Sequence, residues 1–146
     1  MSEATVRATA MVGWDGYLNV RDSPRCLSAA VPSCRTMDYM MPLAEFVSFS
    51  EKVVTETGDV AIPWLVGSHY DLDALGPVGS AVSSAGKVGV AIRRLTEYFS
   101  LLQDCTDIRL SHEDGMATVS YRILDPAIWP RHHDAMFSLG IIAQIV

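Results

Sequence analysis

The sequence predicts an α+β domain that is rich in helices and carries one antiparallel β-hairpin. Several stretches repeat apolar residues at helical spacing, whereas residues 107–124 alternate apolar and polar residues on both sides of Asp114-Gly115. The length of 146 residues suits one ordinary domain, and 49% hydrophobic against 19% charged residues can form a core. We therefore expect a folded chain that forms one domain or part of one.

Helices are expected through the first half of the chain. Apolar spacing predicts a helix from Val6 to about Val20, and Ser23-Pro24 can open a short helix to about Ala30, followed by a connector. Pro42 starts a longer helix that ends at Gly58, and Asp59 caps a short segment that ends at Gly67. The longer helix has one apolar face, which consists of Leu43, Phe46, Val47, Ser50 and Val54.

The second half combines helices with the hairpin. Helical spacing covers residues 71–82 and runs again from Val88 to Leu102. A two-residue turn at Asp114-Gly115 pairs His112 with Ala117, Leu110 with Val119, and Ile108 with Tyr121. This register collects the apolar side chains on one face, namely Ile108, Leu110, Ala117, Val119, Tyr121 and Ile123.

The last stretch, residues 131–146, is apolar nearly all round and predicts a buried helix. A helix of this kind needs cover on every side, and a lone hairpin is marginal in water without further strands. We therefore expect the chain to be an incomplete part of a larger α/β domain.

The glycine-rich stretch Gly76–Gly89 suggests a phosphate-binding loop at first sight. Val88 follows Gly86-Lys87 where such a loop needs Ser or Thr, and Ala81 stands where its first glycine belongs. We interpret the stretch instead as two helices that meet at a tight turn formed by Gly86. Gly76 and Gly79 would share one helical face and allow a close backbone approach, and Gly89 would begin the next helix closely. Gly79→Val should then impair folding or helix packing.

Charge and composition limit the partners of the chain. A net charge of -6, with only 11 scattered Lys and Arg residues, argues against nucleic-acid binding by this chain alone. Cys26, Cys34 and Cys105 lack a C-x-x-C spacing, which favours reduced thiols. No apolar run has the roughly 18 residues of a membrane span, and no secretory signal begins the chain. We predict a cytoplasmic protein without membrane contact.

Few residues suggest chemistry. His132, His133 and Asp134 invite a metal site, but adjacent helical histidines point about 100° apart, so we interpret them as a polar helix start and predict no metal. No Gly-x-Ser-x-Gly or other catalytic constellation is present, so no enzyme activity and no cofactor are expected. Large aromatic residues usually belong to a core or an interface, but they are the best local candidates for lining a ligand pocket: Trp64, Tyr98, Tyr121 and Trp129.

Several ordered motifs resemble a known family. They are "VRATAMVGW", "MPLAEFVSFSEKVVTETGDVAIPWLVG", "LGPVGSAVSSAGKVGVAIRRLTEYFSLL" and, after the hairpin, "YRILDP". Their succession, from about Thr5 to Val146, resembles the N-terminal effector-binding region of AraC/XylS-type bacterial transcription regulators, in its arabinose-binding-type form.

The resemblance extends to single positions and has departures. Matching residues are Pro42-Leu43, Thr57-Gly58-Asp59, Leu75-Gly76, Gly79, Ser84, Gly89, Ala91, Leu95 and Tyr98. Ala85-Gly86-Lys87 replaces the usual Ser-Pro-Thr-like turn, Val90 replaces an acidic residue, and Pro63 interrupts a segment that is usually a regular short helix.

The resemblance implies a ligand-sensing and dimerisation domain over residues 1–146. A small-molecule effector would act on transcription through a C-terminal helix-turn-helix domain that these residues do not include. A rival expectation is a homodimerisation module that binds no ligand.

Overall fold

The computed structural model of the chain describes residues 3–18 and 39–146. The predicted helix Ser23–Ala30, the connector after it, Cys26 and Cys34 lie outside the described residues. Within them, helices and two small antiparallel sheets form an α+β arrangement, as the sequence predicts. Cys105 is an exposed free thiol.

The N-terminal segment differs from the single helix predicted for Val6–Val20. It forms strand β1 (Thr5–Arg7), a 3-10 turn (Ala8–Met11) and, after Gly13 with its φ of 91°, the one-turn helix α1 (Asp15–Leu18). Strand β1 pairs antiparallel with β2 (Met40–Pro42) on one side. On its other side the Arg7 N–H donates to the Leu102 carbonyl at 2.7 Å. These pairings satisfy the backbone hydrogen-bonding groups of β1. The segment therefore forms a strand although its apolar side chains are at helical spacing.

Helix α2 (Leu43–Thr57) confirms the predicted helix and its apolar face. Pro42 ends β2 and immediately precedes the helix, and Gly58 ends it with a φ of 70° while its N–H donates to the Val54 carbonyl. The buried face contains every predicted residue together with Phe49 and Val53. Helix α2 therefore forms one wall of the core.

Helix α3 (Ile62–Ser68) follows; its N-cap residue is Ala61, which makes no side-chain cap hydrogen bond, so the predicted cap at Asp59 is not found on the helix itself. Asp59 Oδ1 instead accepts from the Ala61 N–H at 2.9 Å in the turn that precedes the helix. Pro63 lies in the first turn, where backbone N–H groups have no partner within the helix, so its missing N–H costs no helical hydrogen bond. The helix continues to Ser68 rather than ending at Gly67. The side-chain amide of Gln144 binds the carbonyls of Gly67 and Tyr70 at 3.1 and 2.9 Å, which satisfies acceptors at the end of α3.

The predicted helical stretch 71–82 is divided in two. A 3-10 turn (Leu72–Leu75) and helix α4 (Pro77–Ser83) are separated by Gly76, whose φ is 62° and ψ is -134°. Gly76 thus makes the break rather than sharing a helical face with Gly79, because only glycine adopts this conformation easily. The close approach predicted at Gly79 is confirmed, since a Cβ there would overlap the Leu72 carbonyl.

Helix α5 (Val88–Tyr98) is followed by a 3-10 turn (Phe99–Leu101), so the predicted helix to Leu102 tightens in its last turn. Ala91, Ile92 and Leu95 form its buried face. The close helix start predicted at Gly89 is wrong, because among the described residues no atom from outside its own turn of helix lies within 4 Å of the place of its missing Cβ.

The hairpin has the predicted register. Strands β3 (Thr106–Glu113) and β4 (Met116–Ile123) pair antiparallel, and the turn residues Asp114 and Gly115 have φ values of 51° and 75°. The polar face is exposed apart from the half-buried Asp107, while the apolar face is half-buried near its base and Ile123 is buried. Ala117 is exposed because the tip of the hairpin extends beyond the helices.

Helix α6 (His132–Ile145) runs through the region predicted to be buried on every side. That prediction is wrong for one side, because Met136 and Leu139 are 38% and 37% exposed. The other side is buried and packs most extensively against α3. A Cβ on Gly67 would overlap the Phe137 carbonyl, and one on Gly140 would lie 2.7 Å from the Trp64 carbonyl. The two helices therefore touch backbone to backbone.

An aromatic cluster fills the centre of the core. Phe137 of α6 lies 5.4 Å from Trp14, 5.5 Å from Phe46 and 5.8 Å from Tyr70, measured between ring centroids. Most of these pairs meet edge to face, an arrangement that aromatic rings prefer. The Trp14 indole N–H donates to the Ala10 carbonyl at 3.0 Å, so the buried ring leaves no polar atom unpaired.

Among the described residues, no helix is long and apolar enough to cross a membrane.

The backbone contact between α3 and α6 leads to a stability prediction. Gly67→Ala should destabilise the fold by about 1–3 kcal/mol, because the added methyl group forces the helices apart. Gly89→Ala is the matched control and should stabilise by up to about 1 kcal/mol, since its helical position is open. Urea unfolding of both variants measures the difference. Equal effects at the two positions would contradict the close packing.

Candidate functional site

A partly enclosed cavity lies between the N-terminal segment, the end of α5 with its following turn, and helix α6. Its volume is about 50 Å³. The walls are mostly apolar and include Val6, Ala10, Leu95, Phe99, Phe137, Ile141 and Ile142. Three elements that are distant in sequence therefore meet around one apolar space, which is the usual setting of a small-molecule site.

A few polar groups reach this apolar space. Thr9, Gln103 and Ser138 are among the lining residues. The Thr9 hydroxyl is buried and has no hydrogen-bond partner among the described residues. A buried hydroxyl without a partner is costly, so one of the cavity-lining residues carries an unused hydrogen-bonding group.

A chain of buried hydrogen bonds extends from the cavity wall to the start of α6. The Gln103 side-chain amide donates to the Tyr121 hydroxyl at 2.7 Å, and this hydroxyl donates to Asp134 Oδ2 at 2.6 Å. Asp134 is fully buried, and its other oxygen, Oδ1, has no partner among the described residues. Ser138, which lines the cavity, lies one turn after Asp134, so both side chains are on the same buried side of α6.

Burial of this series of hydrogen bonds shifts the pKa values of Asp134 and Tyr121. Burial raises the pKa of Asp134 from 3.8 to about 6; the Tyr121 hydrogen bond opposes this rise, and the charge of Glu51 adds to it. Burial, followed by the neighbouring Asp134 charge, raises the pKa of Tyr121 well above 10. Tyr121 therefore keeps its proton near neutral pH and remains a donor to the carboxylate.

The four aromatic residues predicted to line a pocket are not gathered in one place. Tyr121 is half-buried, and its ring lies 6.0 Å from that of Phe99, a cavity residue. Tyr98 and Trp64 are 44% and 37% exposed at other positions. Trp129 is 75% exposed and lines, with Tyr121, a separate shallow pocket of about 140 Å³.

The polar residues of the cavity were missed by the sequence reasoning. Ser138 is a polar residue on the apolar side of α6 and so interrupts an apolar pattern, whereas Gln103 continues the polar side of the helical stretch before the hairpin and gave no such signal. That interruption was the available signal. Thr9 gave none, because its role depends on the strand-and-turn path that replaced the predicted helix.

A second depression, of about 320 Å³, lies between the turn before α5 and the C-terminal end of α6. Gly86 and Lys87 line it together with Leu72, Val82 and Ile145. It is larger but more open than the cavity, and solvent reaches its polar groups. A ligand there would leave much of its surface in water, so we take the less open, more apolar cavity as the candidate site.

The prediction that His132 and His133 diverge is not met by the geometry. Their ring centroids lie 4.0 Å apart, and both rings approach the carboxylate of Glu51 on α2. The helix begins at His132, where the backbone of Arg131 is not yet helical, so the side chains do not follow the 100° rotation of a regular helix. Burial lowers the pKa of His133, although the nearby Glu51 charge opposes this.

The raised pKa of Asp134 leads to a prediction on pH. A group with a raised folded-state pKa stabilises the fold most below its unfolded pKa of 3.8, and this contribution is lost as the pH rises through about 6. The free energy of unfolding of the parent chain, relative to Asp134→Asn, should therefore fall by roughly 2–3 kcal/mol between about pH 4 and pH 7. Urea unfolding in buffer with EDTA measures this difference. A constant difference would contradict the burial of an ionisable carboxyl group.

The comparison with known proteins identifies the family of the chain. Residues 31–146 match the family model for the arabinose-binding domain of AraC transcription regulators, at their N-terminus. The matched range covers more than half of the chain and includes helices α5 and α6, whereas the N-terminal segment that supplies Val6, Thr9 and Ala10 to the cavity precedes it. A search of curated proteins finds no match. The chain belongs to the family of arabinose-binding N-terminal domains of AraC transcription regulators.

Proposed function

We propose that the chain senses a small-molecule effector in the partly enclosed cavity and passes this signal to a DNA-binding domain elsewhere in the regulator. The observation that carries the proposal is the apolar cavity with the unpartnered Thr9 hydroxyl in its wall. Membership in a regulatory ligand-binding family supports it. No chemical conversion of the effector is required.

The cavity lining indicates the kind of effector. Most lining side chains are apolar; of the polar ones, Gln103 belongs to the hydrogen-bonding chain that ends at Asp134, whereas the Thr9 hydroxyl has no partner among the described residues. Such a wall favours a molecule with an apolar body and a few polar atoms over one with hydroxyl groups on every side. We therefore propose a compact, largely apolar effector that donates a hydrogen bond to, or accepts one from, Thr9.

Because the cavity is small, binding of an effector requires the surrounding segments to move apart. A volume of about 50 Å³ holds only a few water molecules, so an effector fits when the walls separate. The effector would then favour the open arrangement of α6 and the N-terminal segment over the closed one. A ligand shifts a conformational equilibrium only if it binds the two states with different affinities. That condition is met if the closed arrangement leaves no room for the effector.

A ligand screen tests the proposal. Thermal unfolding of the chain should show stabilisation by at least one class among amino acids, sugars, fatty acids and aromatic acids. Ala10→Val narrows the cavity and should abolish the stabilisation by that compound, while Ala117→Val, at an exposed strand position, should retain it. Stabilisation that survives Ala10→Val unchanged would place the effector outside the cavity.

The Thr9 hydroxyl allows a second test. Thr9→Val keeps the shape of the side chain but removes the unpartnered polar group, so the ligand-free chain should gain about 1 kcal/mol in stability. The same change should weaken binding of the screened compound. Thr118→Val, on the exposed face of the hairpin, is the control and should leave binding unchanged. A marked loss of stability in Thr9→Val would show that the hydroxyl has a structural partner.

A ligand-free homodimerisation module is the alternative function. The exposed apolar residues Trp64, Met136 and Leu139 on α3 and α6 favour it, because apolar surface is often covered at subunit interfaces. A stable dimer in light scattering, combined with no stabilisation by any compound class, would favour this alternative. A ligand-responsive dimer agrees with the sensor, since we propose that residues 1–146 serve both sensing and dimerisation.

The remaining parts of the proposal concern the whole regulator. We propose that it acts in the cytoplasm and contacts DNA through helix-turn-helix motifs in a C-terminal domain. The net charge of -6 supports a division of labour in which this chain leaves DNA binding to another segment. The coding sequence after Val146 tests this point directly, because it should encode helix-turn-helix patterns.

A further inference from the structure

The structure assigns a divalent transition-metal site to Glu51, His132 and His133, which join helix α2 to the start of helix α6. One ligand atom from each residue lies within 4.8 Å of the others. The cluster is separate from the effector cavity, whose lining contains none of these three residues. Our inference from the sequence excluded metal because the two histidines were expected to diverge, and the geometry removes that objection.

The separations between the side chains fit a shared ion better than direct hydrogen bonds. His133 Nε2 lies 3.4 Å from Glu51 Oε2, and His132 Nδ1 lies 3.7 Å from Oε1. Both distances exceed the usual N–H···O range of about 2.7–3.2 Å. Two ligands that each bind a tetrahedral ion at about 2.1 Å lie roughly 3.4 Å apart, so small rotations of these side chains suffice to bind one ion.

The protein holds two of the three ligands in place. The His133 backbone N–H donates to Glu51 Oε1 at 3.2 Å, which fixes the carboxylate at the start of α6. The side chains of Glu51 and His133 are 16% and 13% exposed, whereas that of His132 is 65% exposed. This half-buried pair therefore forms the base of the site, and the exposed His132 can close over an ion that enters from solvent.

The donor set determines the class of ion. Two imidazoles and one carboxylate suit Zn²⁺, Co²⁺, Ni²⁺ or Cu²⁺, whereas Mg²⁺ and Ca²⁺ prefer oxygen ligands alone. Three protein ligands leave at least one coordination position for water. The ion would connect α2 to α6 and so stabilise the helix that also forms a wall of the effector cavity.

Metal titration of the purified chain tests the site. After treatment with EDTA and dialysis, calorimetric titration with ZnCl₂ should show one ion per chain, and Zn²⁺ should raise the melting temperature. His132→Ala and Glu51→Gln should each weaken Zn²⁺ binding at least about tenfold. His112→Ala removes an exposed histidine of the hairpin and should leave the affinity unchanged.

The choice of variants keeps the test decisive. His132 is mostly exposed, and Gln at position 51 keeps an oxygen that can accept the His133 N–H, so circular dichroism should show both variants folded. Absorption of the Co²⁺-loaded chain gives a second readout, because visible bands of a four-coordinate ion should be lost in the same two variants. Absence of Zn²⁺ binding would overturn the assignment. Zn²⁺ binding that either variant leaves unchanged would also overturn it, because the ion would then be bound elsewhere, for example by the exposed Cys105 thiol.

Discussion

The backbone contact between helices α3 and α6 is the constraint on which the rest of the described structure depends. Gly67 and Gly140 have no side chains at the point where the two helices meet, and a Cβ on either would overlap or crowd the opposite backbone. This closeness brings Phe137 into the aromatic cluster with Trp14, Phe46 and Tyr70. The position of α6 is thereby fixed relative to the core, along with every group that the helix carries.

Helix α6 connects three features through that fixed position. Ser138, Ile141 and Ile142 line the cavity, Asp134 ends the buried hydrogen-bonding chain, and His132 and His133 face Glu51 at the start of the helix. An effector that opens the cavity must displace α6 or the segments opposite it. An ion at the start of the same helix would resist that displacement, so the two sites would be energetically coupled through one element.

Local patterns predicted much of the fold, and long-range pairing explains most of the errors. The hairpin register followed from Asp114-Gly115 and strand alternation, and helix α2 followed from its apolar face and Gly58, because neighbouring residues determine these features.

The strand at Thr5–Arg7 could not be predicted in this way, since its partners are Met40–Pro42 and Leu102. The cavity was missed for the same reason: the spatial proximity of Thr9, Gln103 and Ser138 is a property of the tertiary fold. Tyr121 was selected for its polar aromatic character, and its buried hydrogen bonds to Gln103 and Asp134 provide a physical role for that character.

The central claim is that an effector binds inside the domain against α6, and hydrogen–deuterium exchange tests it most directly. With a stabilising compound present, amide exchange should slow in the cavity-lining segments, residues 6–10, 95–103 and 137–142. The second depression provides the contrast, because its wall includes residues 82–88. Protection confined to residues 82–88, or to the exposed hairpin, with no change in the cavity-lining segments would contradict the account.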